Sequence, residues 1–188
     1  MKKSVGPKTI VFPTPTWIVG TYDKEGKPNG AAVAWGGICN SEPPSVAVSL
    51  RKATYSYGNL IERKAFTVSV PSETHARQAD YFGIASGRDT DKFAAAGLTA
   101  VRSELVDAPY VGEFPLVLEC KLVDHFELGL HTQFVGQILD VKADESVLDD
   151  QGVPAIGKVR PFVFAPSDRT YHGIGECIGK AFSIGKEI

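Results

Sequence analysis

The amino-acid sequence predicts a mainly β protein, a small antiparallel barrel of short strands with a few helices between them. Two observations predict this class. Most apolar stretches alternate with period 2, which places every second side chain on one face of a strand. The 19 glycines and 12 prolines are spread through the chain and separate many short segments. This pattern is typical of an antiparallel barrel and not of a parallel sheet built from βαβ units.

The strands are predicted in the following order. TWIVGTYD, the turn KEGKPNG and AAVAW form a first hairpin. SVAVSL places Val46, Val48 and Leu50 on one face, and FTVSV repeats this alternation. PLVLECKLV and TQFVGQILDV predict a long hairpin that turns between residues 125 and 131, with a candidate bulge at Gly136.

Three helices are predicted between these strands. TYSYGNLIERK forms one helix that follows a hydroxyl residue able to cap it. SETHARQADYFGIASG forms a second from a cap at Ser72, and DKFAAAG forms a third that ends at Gly97. No linker or repeat divides the chain, so residues 1–188 are expected to form a single domain.

Composition and spacing exclude several classes of protein. A formal net charge of -2 gives no overall field that would attract nucleic acid. No apolar run is long enough to span a membrane, and prolines interrupt the N-terminal segment, so neither membrane insertion nor secretion is expected. Three widely spaced cysteines argue against a disulfide framework and favour the cytoplasm. The four histidines lack HxxxH or HExxH spacing, so no metal site is predicted.

Phosphate-binding residues cluster where a strand ends and a helix begins. SLRKATYSYGN combines Arg51 with Lys52 and the hydroxyls of Thr54, Ser56 and Tyr57. Helix-start N–H groups, a guanidinium and short hydroxyls can all bond a phosphomonoester, although a solvated basic turn has the same composition. The sequence has neither GxxxxGK[ST] nor a dinucleotide fingerprint, since Ile178 stands where GIGECIG would need its third glycine.

Three further segments are candidates for ligand contact. WGGICNSEPP is predicted as a glycine-rich loop that carries Cys39 and lets a planar ligand approach the backbone, or else as a plain tight turn. His131 follows Gly129 at the start of a strand, and it is either a ligand-facing imidazole or a packed structural one. SGRDTDKF contributes Ser86, Arg88 and Lys92 beside Phe93, or is an exposed loop.

Four loose motifs carry a family resemblance. In order they are GKPNGAAVAWGGICNSEPPSVAVSL, TYSYGNLIERKAFTVSVP, ADYFGIASGRDTDKF and GLHTQFVGQI. Together they resemble the flavin reductase-like, FMN-binding split-barrel family, and within it the flavoredoxins, over residues 11–185. The resemblance implies a six-stranded antiparallel Greek-key split barrel, a homodimer and one FMN per subunit near the dimer interface. An aromatic segment, RPFVF, that a small barrel would not bury alone is a second reason to expect a dimer.

The resemblance also implies the residues of the site. FMN would contact Asn29, Trp35, Gly36, Gly37, Cys39, Asn40, Ser49, Leu50, Arg51, Thr54, Ser56, Tyr57, Ser86 and Lys92. His131 is the candidate catalytic residue, and it would orient a transient NAD(P)H donor. Reductases of the family often carry Gly-Asp-His where this chain has Gly129, Leu130 and His131, which places direct NAD(P)H use in doubt.

The expected function is therefore that of an FMN-binding redox flavoprotein. It would pass electrons or hydride through the flavin, which carries the redox chemistry itself. An NAD(P)H:flavin oxidoreductase and a non-enzymatic electron carrier that serves a redox partner protein both remain open. A binding module without redox chemistry is less favoured.

Overall fold

The structure is a computed structural model that describes residues 1–187. Strands dominate it, as predicted. The strands are β1 (Thr14–Pro15), β2 (Trp17–Tyr22), β3 (Pro28–Val33), β4 (Gly36–Ser41), β5 (Pro44–Arg51), β6 (Ala65–Val70), β7 (Ala100–Arg102), β8 (Pro109–Val111), β9 (Leu116–Leu128), β10 (His131–Ala143), β11 (Phe162–Ala165) and β12 (Thr170–Gly173). The α-helices are α1 (Tyr55–Arg63), α2 (Ala76–Ile84), α3 (Lys92–Ala96) and α4 (Ile156–Val159).

The main sheet has seven antiparallel strands in the order β3-β2-β6-β9-β10-β5-β4. Sequence neighbours form the hairpins β2–β3, β4–β5 and β9–β10, and pairs distant in sequence join these hairpins. The mainly β class with a few peripheral helices is confirmed. The sheet has one strand more than the six that were expected, and this strand is β4.

The prediction of a loop at residues 35–40 is wrong, because most of this segment is strand β4. Gly36 pairs with Val48 and Gly37 with Ala47 on β5, and the β4–β5 connection contains Pro43. A bulge lies between Ile38 and Asn40. Glycines and prolines suggested a turn, but pairing with β5 satisfies the backbone of this segment along the edge of the sheet.

Strands β9 and β10 form the long predicted hairpin. They run almost to its tip, so the turn is only Gly129 and Leu130, and Gly129 takes the positive φ of 66° that a tight turn requires. The register shifts between Val135 and Gly136, as predicted, and again between Ile138 and Asp140. Strand β10 also pairs with β5, which sets His131 opposite Arg51.

The helices cover the sheet. Helix α1 buries Leu60 in the main core beside Phe66 and Phe134. Helices α2 and α3 meet through Phe82 and Phe93, whose rings lie edge to face at 5.2 Å. Helix α3 ends at Gly97, as predicted. The second helix begins with a 3-10 turn at Glu73–His75, and the hydroxyl of Ser72 makes no capping bond.

A small sheet of β1, β11 and β12 packs beside the helices. The RPFVF segment forms β11, and Phe162 is buried beneath the ring of Tyr171. The expectation that the barrel leaves this segment exposed is therefore wrong for Phe162, because β12 and α2 cover it. Within residues 1–187, no helix is both long and apolar enough to cross a membrane.

Candidate functional site

A cavity of about 330 Å³ lies between β3, the start of α1 and the segment that joins α2 to α3. We call it the α1 cavity. Its walls bring together five residues that the sequence predicted, although they are spread over more than sixty positions. They are Asn29, Thr54, Ser56, Ser86 and Lys92. The remaining lining residues are Ala31, Ala32, Ala53, Tyr55, Phe82, Gly83, Ala85, Gly87 and Arg88.

The floor of the α1 cavity has an unsatisfied acceptor. The side-chain amide of Asn29 donates to Ser56 Oγ at 2.8 Å, and both residues are buried. Asn29 Oδ1 is buried without a hydrogen-bond partner in the described chain. Gly87 packs against it so closely that a Cβ at this position would stand 2.1 Å from Asn29 Oδ1. An unpaired buried acceptor costs free energy unless a donor, such as a ligand hydroxyl, reaches it.

Lys92 places a buried cation in the same cavity. The residue is only 5% exposed, and its ammonium donates to the carbonyl of Phe82 at 2.9 Å. None of the ion pairs within residues 1–187 involves Lys92. Burial lowers its pKa to about 8. A buried lysine with no carboxylate beside it provides a strong site for an anion.

The N-terminus of α1 adds a second anion-binding element. The hydroxyl of Thr54 donates backward to the carbonyl of Arg51 at 2.8 Å, so it does not cap the helix. The first turn contains no acidic residue. The leading N–H groups of a helix have no partner within it, and they carry the positive end of the helix dipole. The α1 cavity therefore receives positive potential from this helix and from Lys92.

Arg88 also lines the α1 cavity. The sequence placed it in the polar SGRDTDKF group, but the family resemblance did not imply it as a cofactor contact. Its guanidinium donates to the carbonyl of Ala53 at 3.0 Å and stacks 5.4 Å from the centre of the Tyr55 ring. The sequence signal was present, since Arg88 lies between Ser86 and Lys92. What the sequence could not show is that this loop folds back onto the start of α1.

A second cavity, of about 400 Å³, lies along β4. We call it the β4 cavity. It collects the predicted residues Trp35, Gly36, Gly37, Cys39 and Ser49, together with Gln133 and the segment before β2. The N–H of Ser49 donates to the carbonyl of Trp35 at 2.8 Å, which fixes this wall. The thiol of Cys39 is free, and the residue is exposed at the β4 bulge.

Five predicted residues line neither cavity. Leu50 belongs to the main core, and Tyr57 packs edge to face on Phe134 at 5.5 Å. Arg51 is exposed, and its carbonyl accepts hydrogen bonds from the N–H and the hydroxyl of Thr54. Asn40 is exposed and donates to the carbonyl of Pro43. His131 is half-buried at the start of β10.

A wider depression of about 800 Å³ is lined by Arg63 and residues 102–107. It contains none of the predicted residues. Its charged side chains are partly neutralised, because Arg63 pairs with Asp107 at 2.9 Å. We therefore place the candidate site in the α1 and β4 cavities.

Comparison with known proteins agrees with this fold. Residues 9–173 match the family described as the flavin reductase like domain. The chain belongs to this family. The flavin reductase like domain covers the main sheet, α1 to α4 and both cavities, and only the ends of the chain lie outside it.

Solved structures of this family are similar over the whole chain. The flavoredoxin of Desulfovibrio vulgaris (Miyazaki F) is 58% identical with a TM-score of 0.95, and the match covers 99% of this chain and 100% of that one. The flavoredoxin from Methanosarcina acetivorans is 30% identical with a TM-score of 0.93, and the match covers 100% of this chain and 98% of that one.

A sequence relative matches a shorter part of the chain. The high molecular weight rubredoxin of Moorella thermoacetica is 31% identical over 53% of this chain and 43% of its own length.

Proposed function

We propose that the protein is a redox flavoprotein that binds FMN. The main support is the α1 cavity, where a buried lysine that forms no ion pair within the described residues and the uncapped start of α1 both line the wall. Similarity to two flavoredoxins supports a flavin as that ligand. One relative is named a rubredoxin, which supports a redox role.

The phosphate of FMN fits the α1 cavity by charge and by donor type. Lys92, the leading N–H groups of α1 and the hydroxyls of Ser56 and Ser86 would hold it. Asn29 Oδ1 would accept from a hydroxyl of the ribityl chain, which supplies the donor that this buried oxygen lacks. The fit favours a terminal monophosphate, since the sequence contains no dinucleotide fingerprint.

The β4 cavity is our candidate for the flavin ring. Trp35 supplies an aromatic wall, and the open backbone at Gly37, where a Cβ would meet nothing within 4 Å, leaves a flat surface. When bound, FMN supplies the capacity to transfer electrons or hydride. The protein's own residues hold the cofactor, orient it and shield it from water.

The test of this function is a titration of flavin-free protein with FMN, riboflavin and FAD, monitored by flavin fluorescence. We expect FMN to bind much more tightly than riboflavin, because the charge-assisted bonds to the phosphate contribute about 1.5 to 3 kcal/mol each. We expect FAD to bind less well than FMN. Equal affinity for FMN and riboflavin would contradict the phosphate site.

An enzyme and an electron carrier both fit this function. As an NAD(P)H oxidoreductase, the protein would use His131 to orient the nicotinamide. As a carrier in the cytoplasm, it would exchange electrons with a partner protein. Anaerobic addition of NADH or NADPH to the FMN-loaded protein separates them. Rapid loss of the yellow colour supports the oxidoreductase, and an unchanged spectrum supports the carrier.

We also propose that the protein forms a homodimer through the outer part of the β9–β10 hairpin. Val123, Phe126, Leu128 and Leu130 are all exposed there, and clustered exposed apolar residues are typical of protein–protein contact sites. Light scattering should give a dimer for the wild type and a monomer for Phe126→Glu. Ile156→Glu, at an exposed apolar residue of α4, should remain a dimer. A monomeric wild type would contradict this proposal.

A further inference from the structure

Arg88 is held in place by a chain of contacts that begins outside the α1 cavity. Its guanidinium lies over the ring of Tyr55 and donates to the carbonyl of Ala53. These two contacts span the cavity mouth, because Arg88 belongs to the segment after α2 and Ala53 to the segment before α1. An arginine side chain is costly to order, so a fixed one is prepared for binding before the ligand arrives.

Tyr55 is itself anchored to the turn between β2 and β3. Its hydroxyl donates to Asp23 Oδ2 at 2.7 Å. Asp23 is 5% exposed, and its Oδ1 accepts from the N–H groups of Glu25 and Lys27 at 2.9 Å each. The bond to Asp23 raises the pKa of Tyr55.

The turn between β2 and β3 is also fixed to α1. Arg63, in the last turn of that helix, donates through Nε and a terminal nitrogen to the carbonyl of Asp23. Asp23, Tyr55 and Arg88 therefore form a connected series from a rigid turn to the mouth of the α1 cavity. Asp23 and Arg63 do not line that cavity, so their contacts act on it only through Tyr55 and Arg88.

We propose that Arg88 is a phosphate-specificity residue, and that Tyr55, fixed by Asp23, is the positioning residue that keeps the guanidinium at the cavity mouth. This inference rests on the proposed FMN-binding function. Arg88 commits one nitrogen to Ala53 in the described structure, and its planar fork retains further N–H donors for phosphate oxygens. Neutral riboflavin offers no such acceptor, so the series discriminates between phosphorylated and unphosphorylated flavin.

The test compares dissociation constants for FMN and riboflavin in five variants of the flavin-free protein. Arg88→Ala should weaken FMN about 10- to 100-fold and riboflavin by less than about twofold. Tyr55→Leu, which removes the ring beneath the guanidinium, should weaken FMN nearly as much. Tyr55→Phe keeps the ring and loses the bond to Asp23, so it should weaken FMN by only about three- to tenfold. Arg77→Ala, at an exposed arginine of α2, is the matched control and should change neither constant.

Coupling between the two residues separates positioning from a merely structural role. The double variant Tyr55→Leu with Arg88→Ala should bind FMN within about twofold of Arg88→Ala alone, because Tyr55 acts through Arg88. Additive losses of FMN affinity in the double variant, or equal losses of affinity for FMN and riboflavin, would overturn the inference. The proposed function would remain intact in either case, provided that the wild type binds FMN. Failure of the wild type to prefer FMN would instead refute the proposed function. Thermal melting confirms that each variant is folded.

Discussion

Replacing Lys92 with methionine should stabilise the flavin-free protein while weakening FMN. Burial lowers the pKa of Lys92 from 10.5 to about 8. Keeping the ammonium charged in the folded state below pH 8 therefore costs about 3 kcal/mol. Methionine removes this cost and fills a similar volume, but it leaves the carbonyl of Phe82 without its donor. We expect a net gain of about 2 kcal/mol in the free energy of unfolding at pH 7.

The pH dependence of this gain follows from the direction of the pKa. Because the unfolded chain holds the proton up to about pH 10.5 and the folded apoprotein loses it near 8, stability rises with pH between these values. The advantage of Lys92→Met is therefore complete below pH 8 and declines above it. Urea unfolding of wild type and variant at pH 7 and pH 9.5 measures both effects. Lys24→Met, at an exposed lysine, is the control.

The same variant should bind FMN much more weakly, with riboflavin little changed. A site that gains stability when it loses its charged group is one whose charge serves the ligand. A destabilised Lys92→Met protein, or a gain that does not change between pH 7 and pH 9.5, would show that the charge of Lys92 is not costly to the fold. In that case Lys92 would be a packing residue that the fold requires.

Three further predictions concern the same site. The affinity of the wild type for FMN should fall by up to about tenfold per pH unit above pH 8, because binding then requires Lys92 to take up a proton, and a flat profile for FMN would count against this linkage. Gly87→Ala should weaken FMN and riboflavin alike in the fluorescence titration, because its Cβ would displace Asn29 from the cavity floor, whereas unchanged affinities would mean that the floor adapts freely. His131→Ala should retain FMN but slow anaerobic reduction by NAD(P)H about 10- to 100-fold, whereas an unchanged rate with a lower melting temperature would assign this histidine a structural role.

Local patterns in the sequence predicted much of the fold. Alternation in SVAVSL and FTVSV identified β5 and β6, and Gly97 ended α3 as expected. Residues 35–40 were predicted as a loop because glycine and proline signal turns locally, whereas pairing with β5 is a long-range effect that propensity does not report. The burial of Phe162 in β11 was also not predictable, because β12 and α2, which cover this residue, lie outside the segment itself.

In the candidate site, too, the sequence predicted residue types but not their burial. Residue type predicted Thr54 and Ser56 as phosphate donors, and the family resemblance added Ser86 and Lys92. All four line the α1 cavity. Burial was not predictable, and it is burial without an acidic partner that distinguishes Lys92 from an ordinary surface lysine. The residues that missed both cavities lie in or beside motifs of the family resemblance, where neighbours in sequence point to opposite faces of a strand or helix.

A crystal structure of the protein with bound FMN tests most directly whether the α1 cavity holds the phosphate. We expect the phosphate to lie in the α1 cavity, with its oxygens about 3 Å from Lys92 Nζ and from the leading N–H groups of α1. A phosphate in the β4 cavity or on the outer surface, with Lys92 still bound only to the carbonyl of Phe82, would contradict this expectation.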